Sequence, residues 1–156
     1  MPETIRIREA RPEDLPIILH HRKAMFKDMG FSNEADIEAM AASSEHWLIP
    51  ALAEGRYRGW LAEVPGGEIV AGGGVLIAPW ISHPRDLRPR KGEILNVYTE
   101  PAYRRRGLAR RLMEIMIEWC REQGFAVIFL HASDDGRPLY ESMGFRPTSE
   151  MKLSLK

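Results

Sequence analysis

Hydrophobic and polar positions change their period several times along this chain. Ile5 and Ile7 alternate with Arg6 and Arg8, the two-residue period of a half-buried strand. Arg11-Pro12-Glu13-Asp14 follows, with proline and acids where a first helical turn favours them. Leu15, Ile18, Met25 and Met29 fall on one face of that helix, and Gly30 supplies a stop. Ser32 or Asn33 caps a second helix, in which Ile37, Met40, Ala41, Ser44 and Leu48 recur at helical spacing. Pro50 ends or kinks it.

The period then returns to that of sheet. Residues 57–64 and 68–78 read as strands joined by Pro65-Gly66-Gly67, a hairpin signal. Gly72, Gly73 and Gly74 lie inside the second strand, where missing side chains let another backbone or a ligand come close. A polar loop over 79–91 precedes a strand at 93–99, which Pro101 ends. Leu108, Leu112, Ile115 and Trp119 mark a third helix, stopped by Gly124. The apolar run 125–130 predicts a strand covered on both faces. A short helix over 137–143 and a last strand over 145–155 complete the order β-α-α-β-β-β-α-β-α-β, an α/β chain with a mixed sheet.

Composition narrows the function classes. A chain of 156 residues with 44% hydrophobic and 28% charged positions fits one globular domain over 1–156. The longest apolar stretches fall short of a bilayer span, and residues 1–11 carry no signal-peptide core. One cysteine, Cys120, excludes an internal disulfide and a cysteine metal cluster, so a reducing cytoplasmic setting is expected. Lysines and arginines (22) balance aspartates and glutamates (22), which argues against a nucleic-acid binder. The charge is unevenly spread. Asp28, Glu34, Asp36, Glu38, Glu45 and Glu54 are uninterrupted by any cation, whereas five arginines lie between 104 and 111. His20, His21 and His46 lack metal-ligand spacing, and no metal is expected.

The densest chemical signal is Tyr103-Arg104-Arg105-Arg106-Gly107-Leu108-Ala109-Arg110, between a strand and an amphipathic helix. The first turn of a helix leaves N–H groups unpaired and partly positive, a natural anion site. Arginines there oppose the helix dipole by about 0.3–1 kcal/mol each, so their presence points to a bound anion. Neither the dinucleotide fingerprint nor the Walker pattern is present.

Arg104-Arg105-Arg106-Gly107-Leu108-Ala109 resembles the R/Q-x-x-G-x-G/A motif of the GNAT superfamily of acyl-CoA-dependent N-acetyltransferases. The preceding Val97-Tyr98-Thr99-Glu100-Pro101-Ala102-Tyr103 is similar to that family's strand and turn. Arg137-Pro138-Leu139-Tyr140-Glu141-Ser142-Met143-Gly144-Phe145 resembles its L-Y-x-x-x-G-F segment. The resemblance covers nearly the whole chain. It implies a mostly antiparallel sheet flanked by helices, with acetyl-CoA as co-substrate. It implies that main-chain N–H groups of Arg105, Arg106, Gly107, Leu108 and Ala109, with Arg104 and Arg110 nearby, hold a pyrophosphate. Val97, Tyr98 and Thr99 would border the pantetheine arm. Ser133 stands where the family often has an asparagine, a departure that bears on one pantetheine contact.

By the same resemblance Tyr140 protonates the leaving sulfur, and a main-chain N–H near Val97 meets the developing oxyanion. Glu93 is the candidate base, directly or through water, with His131 as the alternative. Asn96 points away from Val97 in a regular strand, either toward acceptor or toward polar neighbours. The region around Phe31, at the start of the acidic stretch, borders the acceptor cleft; its acids would favour a cationic amine or form a solvated face. The expected function is acetyl transfer to a primary amine, small molecule or peptide, by direct attack in a ternary complex. A catalytically silent CoA-binding sensor of the same fold is the alternative. Neither a membrane nor nucleic acid is an expected partner, and a homodimer is compatible with the resemblance.

Overall fold

A computed structural model describes residues 4–156; residues 1–3, part of the amino-terminal stretch read above for export signals, lie outside it. The elements are β1 (Arg6–Glu9), α1 (Leu15–Asp28), α2 (Glu34–Glu54), β2 (Tyr57–Glu63), β3 (Ile69–Pro79), β4 (Arg90–Thr99), α3 (Leu108–Glu122), β5 (Phe129–Leu130) and α4 (Arg137–Ser142). The strands form one sheet in the order β1-β2-β3-β4-β5. The first three pairings are antiparallel and β4 pairs β5 in parallel. No described helix is long and apolar enough to cross a membrane.

Helices cover both faces. Leu108, Leu112, Met113, Met116 and Cys120 of α3 join Trp60, Val70, Val75 and Ile94 in the larger core. Ile18 of α1, Leu48 and Ala51 of α2, and Tyr57 build a smaller core. The apolar stripe of α3 is thus turned slightly from its expected line: Met113, Met116 and Cys120 are sealed, while Ile115 and Trp119 are half-buried. Burial pushes the Cys120 thiol up to about 11, leaving an inert packed group.

The termini of α2 follow local chemistry. Asn33, one of two expected caps, accepts a hydrogen bond from the Asp36 N–H at 3.1 Å. Pro50 lies within α2, which runs on to Glu54. Before α1, Asp14 accepts from the Arg11 N–H and from both terminal nitrogens of Arg8 at 2.8 and 2.9 Å.

Three expectations are corrected. The glycine triplet in β3 admits side chains of this chain rather than a ligand. A Cβ at Gly72 would stand 2.9 Å from His21, one at Gly73 2.9 Å from Met116, and one at Gly74 2.2 Å from the Tyr57 ring. The apolar run 125–130 forms only a two-residue strand. The Ala126 N–H donates to the Asp86 carboxylate at 3.1 Å, and Phe125 turns into the core beneath Arg90, so neither extends a ladder. The last strand expected over 145–155 is absent. Met151, Leu153 and Leu155 keep their alternation but are 93%, 81% and 88% exposed, with no neighbouring strand to satisfy their backbone.

The Arg8 guanidinium holds the Asp14 carboxyl below its ordinary range, chiefly by hydrogen bonding. A carboxylate depressed on folding stabilises above its unfolded pKa, about 3.9, and that contribution fades as pH falls through the folded value. Asp14→Asn is expected to cost about 1–2 kcal/mol at pH 7. Denaturant unfolding across pH checks it, because parent and variant should converge in acid.

Candidate active site

The site is organised by an irregularity in β4. Leu95 pairs Gly74 and Tyr98 pairs Gly72, so Asn96 and Val97 together oppose the single residue Gly73. Asn96 adopts φ 60°, a left-handed conformation that asparagine tolerates better than most residues. Alternation breaks there. Ile94 and Val97 pack on the α3 side, while Leu95 packs with the α1–α2 core and Asn96 turns toward it.

Asn96 is 3% exposed, and both ends of its amide are engaged. Its Oδ1 accepts from Arg22 Nη1 of α1 at 2.8 Å, and its Nδ2 donates to the Tyr57 hydroxyl of β2 at 3.1 Å. Asn96 thus packs against polar neighbours, and its side chain is not presented to solvent. Burial pushes the Tyr57 phenol up to about 12, keeping it neutral. Arg22 is the residue that sequence reasoning missed. Its signal was its place in the inner stripe of α1, four residues after Ile18 and three before Met25.

Beyond the bulge, β4 is open on one side. Its pairing with β5 stops at Ile94↔Leu130, so residues 95–99 have no strand on that edge. The slot leads past Tyr98, whose ring lies 5.4 Å from that of buried His21. Burial, aided by neighbouring His20, pushes His21 down to about 4, so the imidazole packs there neutral. The slot ends at the start of α3. Gly107 holds the N-cap position at φ 78°, and Arg105 stands at φ 64° two residues earlier. Left-handed residues in such a turn direct successive N–H groups into one concavity, a main-chain nest for an anion. No heavy atom lies within 4 Å of where a Gly107 Cβ would project.

The arginines of this turn divide their work. Arg104 donates to the Thr99 carbonyl at 2.9 Å and to Asp28 at 2.7 Å, tying the turn to β4 and α1. Arg106 rests over the Tyr103 ring. Arg110 donates to the Ser142 hydroxyl at 2.7 Å, joining the first turn of α3 to α4. The side chains of Arg105 and Arg106 are exposed and make no hydrogen bond or ion pair among the described residues.

On the other wall, the Ser133 hydroxyl accepts from the Gly136 N–H at 3.1 Å and closes the turn into α4. A Cβ at Gly136 would stand 2.8 Å from the Tyr140 ring, so this turn fixes where Tyr140 lies. Tyr140 packs edge-on to Phe145 and lines a groove of about 230 Å³ with Leu130, His131 and Ala132. Burial raises its phenol, so it retains its proton at neutral pH. The β4–β5 pairing also brings together the two candidate bases: His131 Nε2 lies 3.6 Å from Glu93 Oε1. Four of the six acids of the acidic stretch meet cations, while Asp36 and Glu45 form no ion pair among the described residues. Asp28 pairs with Arg104, Glu34 with Lys27, Glu38 with Lys23 and Glu54 with Arg56. Phe31 is 56% exposed and stands edge-on to Phe26 at 5.4 Å.

The bulged strand, the parted β4–β5 pair and the nest before α3 coincide with a family assignment. Residues 19–145 match the Acetyltransferase (GNAT) family. The chain belongs to the GNAT family. A GCN5-related N-acetyltransferase from Ralstonia eutropha JMP134 superposes with a TM-score of 0.91 at 37% identity, covering 97% of this chain and 99% of that one. A predicted acetyltransferase from Clostridium acetobutylicum, crystallised with acetyl-CoA, superposes at 0.86 with 27% identity and 97% coverage of each chain. The uncharacterized N-acetyltransferase YjgM of Escherichia coli (strain K12) is 36% identical over 89 residues, 55% of this chain and 49% of its own. Glucosamine 6-phosphate N-acetyltransferase of Trypanosoma brucei brucei is 34% identical over 92 residues, 58% of this chain and 60% of its own. The chain spans 60% or less of the length of the curated relatives it matches.

Tyr57→Phe removes the acceptor of the Asn96 amide and strands a buried donor within the GNAT bulge. It is expected to lower stability by about 1–3 kcal/mol. Urea unfolding measures this directly, and a neutral outcome would show that the bulge holds its shape without that bond.

Proposed function

We propose that the protein transfers an acetyl group from acetyl-CoA to a primary amine by direct attack within a ternary complex. The observation that carries this reading is the succession along the chain of the Asn96 bulge, the open edge of β4 and the left-handed turn at Gly107. A thioester carrying a pyrophosphate at its far end matches that succession of an extended edge and an anion site.

In this reading the main-chain N–H groups of residues 105–109 hold the pyrophosphate, and Val97 and Thr99 offer main-chain groups to the pantetheine arm. The Thr99 carbonyl already accepts from Arg104, so its contribution is the N–H. A main-chain N–H at the bulge, near Val97, faces the carbonyl oxygen and stabilises the negative charge that develops there. The acceptor nitrogen attacks as the neutral amine, and the carbon–sulfur bond breaks. Tyr140 donates its proton to the departing sulfur, and Glu93 takes the proton lost by the amine. Glu93 lies three residues before Asn96, about 10 Å along an extended strand, so a water carries that proton. His131, beside Glu93, passes it to solvent.

Tyr140→Phe is expected to lower turnover by about 10²-fold or less, with acetyl-CoA affinity nearly unchanged. Thiol release gives the rate and calorimetric titration gives the affinity; unchanged turnover would remove Tyr140 from the proton path. Glu93→Gln is expected to lower kcat/KM by about 10²-fold and to change the shape of its pH dependence. A pH–rate profile that keeps the parent shape would transfer the role to another group.

A further inference from the structure

On the α1 side of the bulge lies a cation that no carboxylate answers. Arg22 is half-buried, donates from Nη1 to Asn96 Oδ1 at 2.8 Å, and rests 5.1 Å from the Phe26 ring centroid. Its neighbours are all neutralised: Lys23 by Glu38, Lys27 by Glu34, and Arg104 by Asp28. Arg22 has no ion pair among the described residues, and the phenol it faces, Tyr57, is neutral. Nε and Nη2 make no hydrogen bond within the chain and are not sealed from solvent.

Holding up the Asn96 carbonyl needs one donor and no charge. A half-buried guanidinium with N–H groups to spare and no counter-ion is a costly way to supply it. Burial lowers its pKa from the ordinary arginine value, the mark of a charge lacking compensation within the fold. Arg22 bonds the residue at the bulge, and it stands on the face that the α1–α2 connection and Phe31 overlook. We propose that Arg22 receives an oxyanion, carboxylate or phosphate, carried by the acceptor, so that the acceptor is an amine bearing an anionic group rather than a polycation. This rests on the transferase reading and deepens it. The fork of N–H donors beside an apolar ring suits a planar carboxylate or a phosphate face. Of the acids of α2 that face α1, Glu34 and Glu38 already meet Lys27 and Lys23.

The test uses matched amines with acetyl-CoA: β-alanine against β-alaninamide, O-phosphoethanolamine against ethanolamine, and spermidine alone. Thiol release gives kcat/KM for the parent, Arg22→Gln and Arg22→Lys. In parallel, the Arg22 Nε–H resonance of the parent is titrated with each amine, with and without CoA. The anionic member of at least one pair should exceed its neutral partner by about 10-fold or more, the worth of a hydrogen bond to a charged group. That excess should vanish in Arg22→Gln and survive in part in Arg22→Lys, while kcat/KM for the neutral members falls by much less than for the anionic ones. The two pairs tell carboxylate from phosphate. Preference for spermidine or the neutral members, or an excess untouched by Arg22→Gln, overturns the inference. So does an Arg22 resonance that responds alike to anionic and neutral members, even if no amine is turned over. Failure of the parent to bind acetyl-CoA would instead overturn the transferase reading, since the resonance is also read without CoA.

Discussion

Asn96 stands at φ 60° inside a strand, and two side chains from different elements hold its amide. Left-handed backbone in mid-strand costs free energy, and the Tyr57 hydroxyl and Arg22 guanidinium offset that cost by satisfying a buried amide at both ends. The consequence runs along the whole of β4. Because two residues occupy the space of one, Leu95 and Asn96 share the α1–α2 side and Val97 returns to the α3 core. Without the bulge, Val97 and Tyr98 would exchange faces, and the main-chain groups at the slot would point elsewhere.

The glycine triplet of β3 belongs to the same constraint. Gly74 makes room for the Tyr57 ring, Gly72 for His21, and Gly73 for Met116. Tyr57 can reach Asn96 because the strand between them lacks a side chain where its ring passes. The short β5 has a complementary effect. Since its ladder stops at Leu130, the edge of β4 stays open just where the bulge has turned its backbone. One strand thus completes the ladder with β3 on one edge and is left open past Ile94 on the other.

Electrostatics follows from which charges find partners. The acids between Asp28 and Glu54 look like a negative field in one dimension, yet the cations of α1, Arg56 and Arg104 meet most of them. The arginines around Gly107 look like a phosphate clamp, yet Arg104 and Arg110 brace the turn through Asp28, Thr99 and Ser142. Arg22, a residue whose charge is unremarkable in the sequence, is half-buried and has no ion pair among the described residues.

Much of the architecture was legible along the chain because it rests on local periodicity. The helical stripes from Leu15 and Leu108, the hairpin at Pro65-Gly66-Gly67, the Asn33 cap and the Gly107 turn are decided by residues a few positions apart. The family motifs at 104–109 and 139–145 were legible for the same reason. Strand extent was not. Residues 125–130 and 145–155 have strand patterns, but a ladder needs a partner, and Asp86 takes the Ala126 N–H while the tail has no neighbour. Nor could spacing reveal the bulge, which depends on Tyr57 and Arg22, 39 and 74 residues away from Asn96. The sequence by itself determined the helices, the first four strands and the Gly107 turn, because those follow from short-range backbone preferences. Only the tertiary structure decided which face each β4 side chain takes and which charges stay unpaired, because both depend on contacts between distant segments.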